Sequence, residues 1–193
     1  MNAITQIITQ QLSGTASRTI AQRFGISETT ANTAIQMAIP LILAALARNA
    51  SQPQEAQSLH QAIASDHDGS IFDNLTGYLG NPQSANGTGI LSHVFGSQQP
   101  AIENNLAQAT GMDQSSAAGL LATVAPLVMG SLGQAQQQNG LDASGLSNLL
   151  NSQKDEAQAN APGAMGMLSS MLDQNKDGNT MDDLSRMAAN FFK

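Results

Sequence analysis

The chain has 193 residues, 41% of them apolar and 3% aromatic, with no Cys and no Trp. That is enough for one domain or two small, closely packed halves, with a core drawn from Ala, Leu, Ile, Val and Met. A net charge of −7 with only seven basic residues argues against nonspecific nucleic-acid binding, and the absence of Cys removes disulfide and thiol chemistry.

The opening MNAITQIITQQLSG has no basic n-region and no long apolar run, so no secretory signal is expected. Ile4, Ile7, Ile8 and Leu12 recur at helical spacing and predict an amphipathic helix over 3–12, ending near Gly14. Ser17 starts a short helix over 18–24. The stretch from Phe24 to Ala47, FGISETTANTAIQMAIPLILAALA, follows it. Gly25 ends the preceding helix by taking the left-handed backbone conformation, and Ser27 caps the next one. The second helix is apolar nearly all round, through Ala34, Ile35, Ala38, Ile39, Leu41, Ile42, Leu43 and Leu46, and so belongs in the core. Pro40 removes one backbone donor inside it and predicts a kink or break. The longest apolar run, Ala38 to Ala47, is too short to span a bilayer, and a soluble cytoplasmic protein is expected.

SQPQEAQ (51–57) reads as a loop entering a helix whose inner face carries Leu59 and Ile63; a weak echo, SQKDEAQ, recurs at 152–158. HDGSIFDNL (67–75) reads as a helix-starting turn, with Phe72, Leu75 and Leu79 facing inward. GNPQSANGTG (80–89) is rich in turn residues and marks a boundary between halves. Ile90, Leu91, Val94 and Phe95 then form a short apolar helix ending at Gly96. Pro100 starts another, through Ile102 and Leu106 to Gly111.

From Thr110 to Gly133, TGMDQSSAAGLLATVAPLVMGSLG repeats the first core stretch without a gap, at an offset of 86. Gly25 meets Gly111, Ser27 meets Asp113, Ala31 meets Ala117 and Pro40 meets Pro126. A repeat this long implies duplication of one structural unit. Strand-like alternation is absent throughout. The expected fold is therefore all-α: two fused pseudo-repeats with helix-turn-helix corners, packed around two Pro-containing helices. The halves are placed at 1–80 and 90–193, with 81–89 as linker. GQAQQQNGLDASG (133–145) has no counterpart in the first half and reads as an exposed insertion. AQANAPG (157–163) reads as flexible, and Met165, Leu168 and Leu172 form a helical stripe.

The sequence DQNKDGNTMDD (173–183) carries the clearest site chemistry. Asp173, Asn175 and Asp177 stand at the first, third and fifth positions of an EF-hand-type loop, Gly178 at the sixth, and Asn179 where a backbone carbonyl coordinates. The twelfth position is Leu184 in place of a bidentate Glu, so Asp182 or Asp183 would have to close a shortened loop around Ca²⁺. The alternative is an Asx-rich turn that starts the last helix. The 67–75 turn echoes this loop but has Ala64 where Asp173 would be.

GILSHVFGSQQPAIENNLAQATGMD, APLVMGSLG and DQNKDGNTMDDLSRMAANFF together resemble the bacterial family DUF937, which includes the YidB-like proteins. The resemblance covers nearly the whole chain. It implies an all-helical, homeodomain-like arrangement and no established activity.

His60, His67 and His93 are isolated, no Ser sits in a nucleophile elbow, and no glycine-rich loop suits a phosphate. A non-enzymatic protein is expected: a self-assembling homo-oligomer or filament, or a partner-binding protein, stabilised by calcium. DNA binding through the helix-turn-helix corner is the alternative. It would rest on Arg18 and Arg23, because neither second helix carries a basic residue before its proline.

Overall fold

The computed structural model describes residues 14–160, together with Ile8, Gln10, Leu12 and Gly166. All of the regular structure among these residues is helical, as the sequence predicts. The 173–183 loop and the Met165, Leu168 and Leu172 stripe lie outside the described residues.

Ile8 and Leu12 are buried, and the Leu12 amide donates to the Ile8 carbonyl at 2.8 Å, one helical turn of the expected amphipathic segment. Helix α1 (Thr15–Phe24) ends at Gly25, with φ 64° and ψ 30°. Helix α2 (Glu28–Asn49) starts from Ser27, whose hydroxyl oxygen accepts from the Thr30 amide at 3.0 Å. Further on, α6 (Gln99–Thr110) ends at Gly111, with φ 71° and ψ 19°. Helix α7 (Gln114–Asn139) starts from Asp113, whose carboxylate accepts from the Ser116 amide at 2.9 Å. After each glycine one more amide folds back across the corner: Ile26 onto Ala21, and Met112 onto Ala107, both at 3.0 Å. Glycine adopts this left-handed geometry without strain, which is why it stands at both corners.

Every residue from Ala38 to Ala47 is buried, and so is every residue from Thr123 to Gly133. These segments of α2 and α7 pack together at the centre of one continuous hydrophobic core. Neither proline ends its helix, so the expected break does not occur. Taken whole, α2 and α7 are long and apolar enough to cross a membrane by length and composition, which the Ala38–Ala47 run by itself did not suggest. Their apolar windows are 72% and 78% buried within the chain.

Helix α3 (Pro53–Asp66) is followed by a 3₁₀ turn at Ser70–Phe72, helix α4 (Leu75–Gly80), a second 3₁₀ turn at Pro82–Ala85, and α5 (Gly87–Phe95). The residues expected as linker thus hold a turn and the first turn of α5. Ile90, Leu91, Val94 and Phe95 are buried as their spacing predicts, and α5 lies against α7.

The glutamine-rich run expected as an exposed insertion is exposed at 137–140 and continues the helix before it. Gly133–Asn139 continue α7, and Gly133 and Gln136 are buried. Gln and Ala are good helix formers, so the run extends the helix until Gly140, where the Leu141 amide folds back onto the Gln136 carbonyl. Helix α8 (Ala143–Asn160) then runs along α2 and α3. It absorbs Ala157–Asn160, expected to be flexible. The two weakly similar segments at 51–57 and 152–158 adopt different settings, the start of α3 and the interior of α8.

Candidate functional site

The six residues expected to hold calcium, Asp173, Asn175, Asp177, Asn179, Asp182 and Asp183, lie outside the described residues. Among the described residues no group of three or more His, Cys, Asp or Glu side chains could hold a metal ion. The 67–75 turn behaves as a helix starter. The Asp68 carboxylate accepts from the Ser70 amide at 2.9 Å, and the Asn74 side chain caps α4 through the Gly77 amide at 3.0 Å. The bonds from Ser70 hold the Asp68 carboxyl below its ordinary pKa.

Arg18 and Arg23 are five residues apart on α1, which turns them to different faces of the helix. Arg18 pairs with Glu28 at 2.9 Å across the first corner, both side chains being more than half exposed. Arg23 reaches the other way, to the Leu79 and Gly80 carbonyls at the end of α4, at 3.5 and 3.4 Å. Each arginine therefore has an acceptor within the chain.

The histidines are dispersed. His60 Nε2 lies 3.0 Å from the Leu141 carbonyl, joining α3 to the α7–α8 turn. His67 is half-buried at the end of α3; burial lowers its pKa and the neighbouring Asp66 opposes this. His93 is exposed, and its backbone carbonyl takes a bond from the Asn49 amide at 3.4 Å.

The face of α7 around Pro126 was not apparent in the sequence. Pro126 has no N–H, so the Ala122 carbonyl, four residues earlier, has no helical donor. The buried backbone of Gly87 closes over it: a Cβ at position 87 would lie 1.8 Å from that oxygen. The adjacent Thr123 carbonyl accepts the buried Tyr78 hydroxyl at 2.7 Å. Burial raises the Tyr78 pKa and Arg23 opposes the rise, so the phenol stays a donor at neutral pH. Two turns on, Gly133 admits the His67 carbonyl, which a Cβ there would meet at 1.8 Å. The chain's single Tyr and the proline in its apolar helix were the available signals.

Between these elements lies a cavity of about 670 Å³. Its floor is Pro126 and Gly130 of α7. Its walls come from the end of α3, the 69–71 turn, α4 and the start of α5.

These features define an all-helical protein with two buried central helices. Residues 6–135 match the family model described as a bacterial protein of unknown function, and the chain belongs to this family, DUF937. The match ends near the close of α7, so α8 lies beyond it. Comparison with curated proteins and with solved structures finds no match.

Proposed function

We propose that this is a non-enzymatic assembly protein made of two fused copies of one helix-turn-helix unit, which associates through its corners or binds a partner there. One observation carries the reading. The backbone at Gly25–Ser27 and at Gly111–Asp113 has the same conformation, down to the cap and the folded-back amide. Two like corners on one chain give two like faces, and a contact between unlike ends propagates into a ring or filament. The surface suits this role. The first corner exposes Gln22, Ser27 and Thr29 beside Arg23 and Glu28, the second exposes Gln108, Gln114 and Ser115 beside Asp113, and among the described residues only Arg18, Arg23, Arg48 and Lys154 are basic. Such surfaces do little to repel one another. On this reading calcium at Asp173, Asn175, Asp177, Asn179 and Asp182 or Asp183 fixes the carboxy-terminal segment and gates the contact. The burial of the apolar windows of α2 and α7 within the chain supports a soluble protein, and a cytoplasmic location is part of the same proposal.

The test is light scattering coupled to size exclusion, with negative-stain microscopy, in Ca²⁺ and in chelator. The expected result is a mass above that of one chain, rising with concentration and sensitive to calcium. A strict monomer at high concentration in both conditions overturns the assembly reading.

DNA binding is the second reading, favoured only by the corner geometry. Arg18 and Arg23 are turned to different partners, and phosphate neutralisation needs free cations on one face. A gel shift at low salt separates the two readings: retardation abolished by Arg23→Ala favours DNA.

A further inference from the structure

The cavity beside α7 has the size of small-molecule sites, about 300–1,000 Å³. Its chemistry is uneven in a way that selects a ligand. Asp66 and Asp68 bring two carboxylates, and no Lys or Arg lines the space. Among the described residues neither carboxylate has an ion pair with a basic side chain. His67, between them in sequence, also lines the space, but burial lowers its pKa and disfavours its charged form, so an anion entering here would meet two like charges. A purely apolar ligand would strip water from the carboxylates and replace it with nothing. A protonated amine satisfies both.

The rest of the lining narrows the class further. Asn74, Asn81 and Asn86 carry amides that both donate and accept; the Ser70 and Ser84 hydroxyls, which already donate to Asp68 and to the Asn81 carbonyl, keep lone pairs that accept. The Asn74 oxygen is occupied by the Gly77 amide, which leaves its NH₂ as a donor. These groups match ligand hydroxyls, which also donate and accept. Ile71, Ile90 and Pro126 offer an apolar surface to the carbon face of such a molecule. Neutral polar groups and an apolar surface, together with two carboxylates, suit a compact polyol bearing an amine.

We propose that this cavity binds a small hydroxylated amine, of which an amino sugar is the type, with its ammonium at Asp66 and Asp68 and its hydroxyls at the asparagine amides. The site is formed within one chain, so binding does not depend on assembly.

The experiment is titration calorimetry of the full chain with glucosamine near neutral pH and at low salt. Glucose, glucose 6-phosphate and spermidine serve as comparison ligands. Saturable binding of glucosamine at one site per chain is expected, with glucose at least about tenfold weaker and glucose 6-phosphate undetected. Asp66→Asn weakens glucosamine by about tenfold with an unchanged melting temperature, because Asp66 is exposed. Ser84→Trp fills the space and abolishes binding. No saturable heat with glucosamine overturns the proposal, as does equal binding of glucose, or saturation by spermidine alone. Two folded variants that bind glucosamine like the parent also overturn it. If Ser84→Trp fails to fold, Asp66→Asn decides the matter.

Discussion

The Tyr78 hydroxyl donates to the Thr123 carbonyl at 2.7 Å, across 45 residues of sequence and inside the core. It holds α4 against α7 one turn before Pro126, where the helix has lost a donor of its own. Tyr78→Phe keeps the ring and removes the bond, leaving a buried carbonyl short of a partner. The expected cost is about 1–2 kcal/mol. For a chain of this size that is a fall in Tm of roughly 2–8 °C by differential scanning calorimetry. An unchanged Tm would show that the Thr123 carbonyl is satisfied without Tyr78.

Gly87 and Gly133 are needed for space. A methyl group at either position meets a backbone oxygen at 1.8 Å, Ala122 in one case and His67 in the other. Backbone cannot swing aside as a side chain can, so Gly87→Ala and Gly133→Ala should each cost about 1–3 kcal/mol or more. Gly80 supplies the contrast. It ends α4 with nothing within 4 Å of a built Cβ. Gly80→Ala should be neutral, or stabilising by up to about 1 kcal/mol through the unfolded chain. Denaturant melts of the three variants test the contrast directly.

The two caps differ in their response to acid. Asp113 is bonded by the Ser115 and Ser116 hydroxyls and the Ser116 amide, which hold its carboxyl well below the usual carboxylate range. A depressed folded pKa contributes stability that is complete above the unfolded value, about 4, and is lost as pH falls through the folded value. Asp113→Asn should therefore differ most from the parent at neutral pH, and the gap should narrow as pH drops below about 4. Ser27→Ala removes an uncharged cap, costing about 1 kcal/mol with no acid dependence of its own. Parallel Tm–pH profiles for Asp113→Asn and the parent would refute the argument.

If calcium occupies the 173–183 loop, it stabilises the folded chain by mass action, by about 2.7 kcal/mol at 100 times Kd. Thermal melts in calcium and in chelator should separate for the parent and coincide for Asp177→Ala. A variant that keeps the full calcium shift excludes the loop as the site.

What could be read from the sequence depended on the reach of each interaction. The caps at Ser27 and Asp113 act within three residues, so Gly-x-Ser and Gly-x-Asp before an apolar run were sufficient signals. Burial of 38–47 followed from a helix with no polar face. The Gly87–Ala122 approach could not be foreseen in the same way. Pro126 showed that a carbonyl lacked a donor, but not which segment would cover it. The run after Gly133 is exposed at Gln137–Gly140 as expected, whereas the burial of Gln136 is decided by what α7 packs against. Arg18 and Arg23 had no visible partner for a related reason: the Leu79 and Gly80 carbonyls reach Arg23 only once α4 has docked on α1.

The packing of α8 along α2 has a consequence for biosynthesis. Helix α2 is finished at Asn49, but the helix that covers one of its sides ends only at Asn160. At about 5–20 residues per second, a ribosome needs roughly 5–20 s to make the intervening chain. Once the run from Ala38 to Ala47 leaves the exit tunnel, it waits for the rest of that time without α8, which packs against its helix. Nascent-chain proteolysis should show the protection of α2 completed after α8 has emerged, so its apolar surface is open to a chaperone until then.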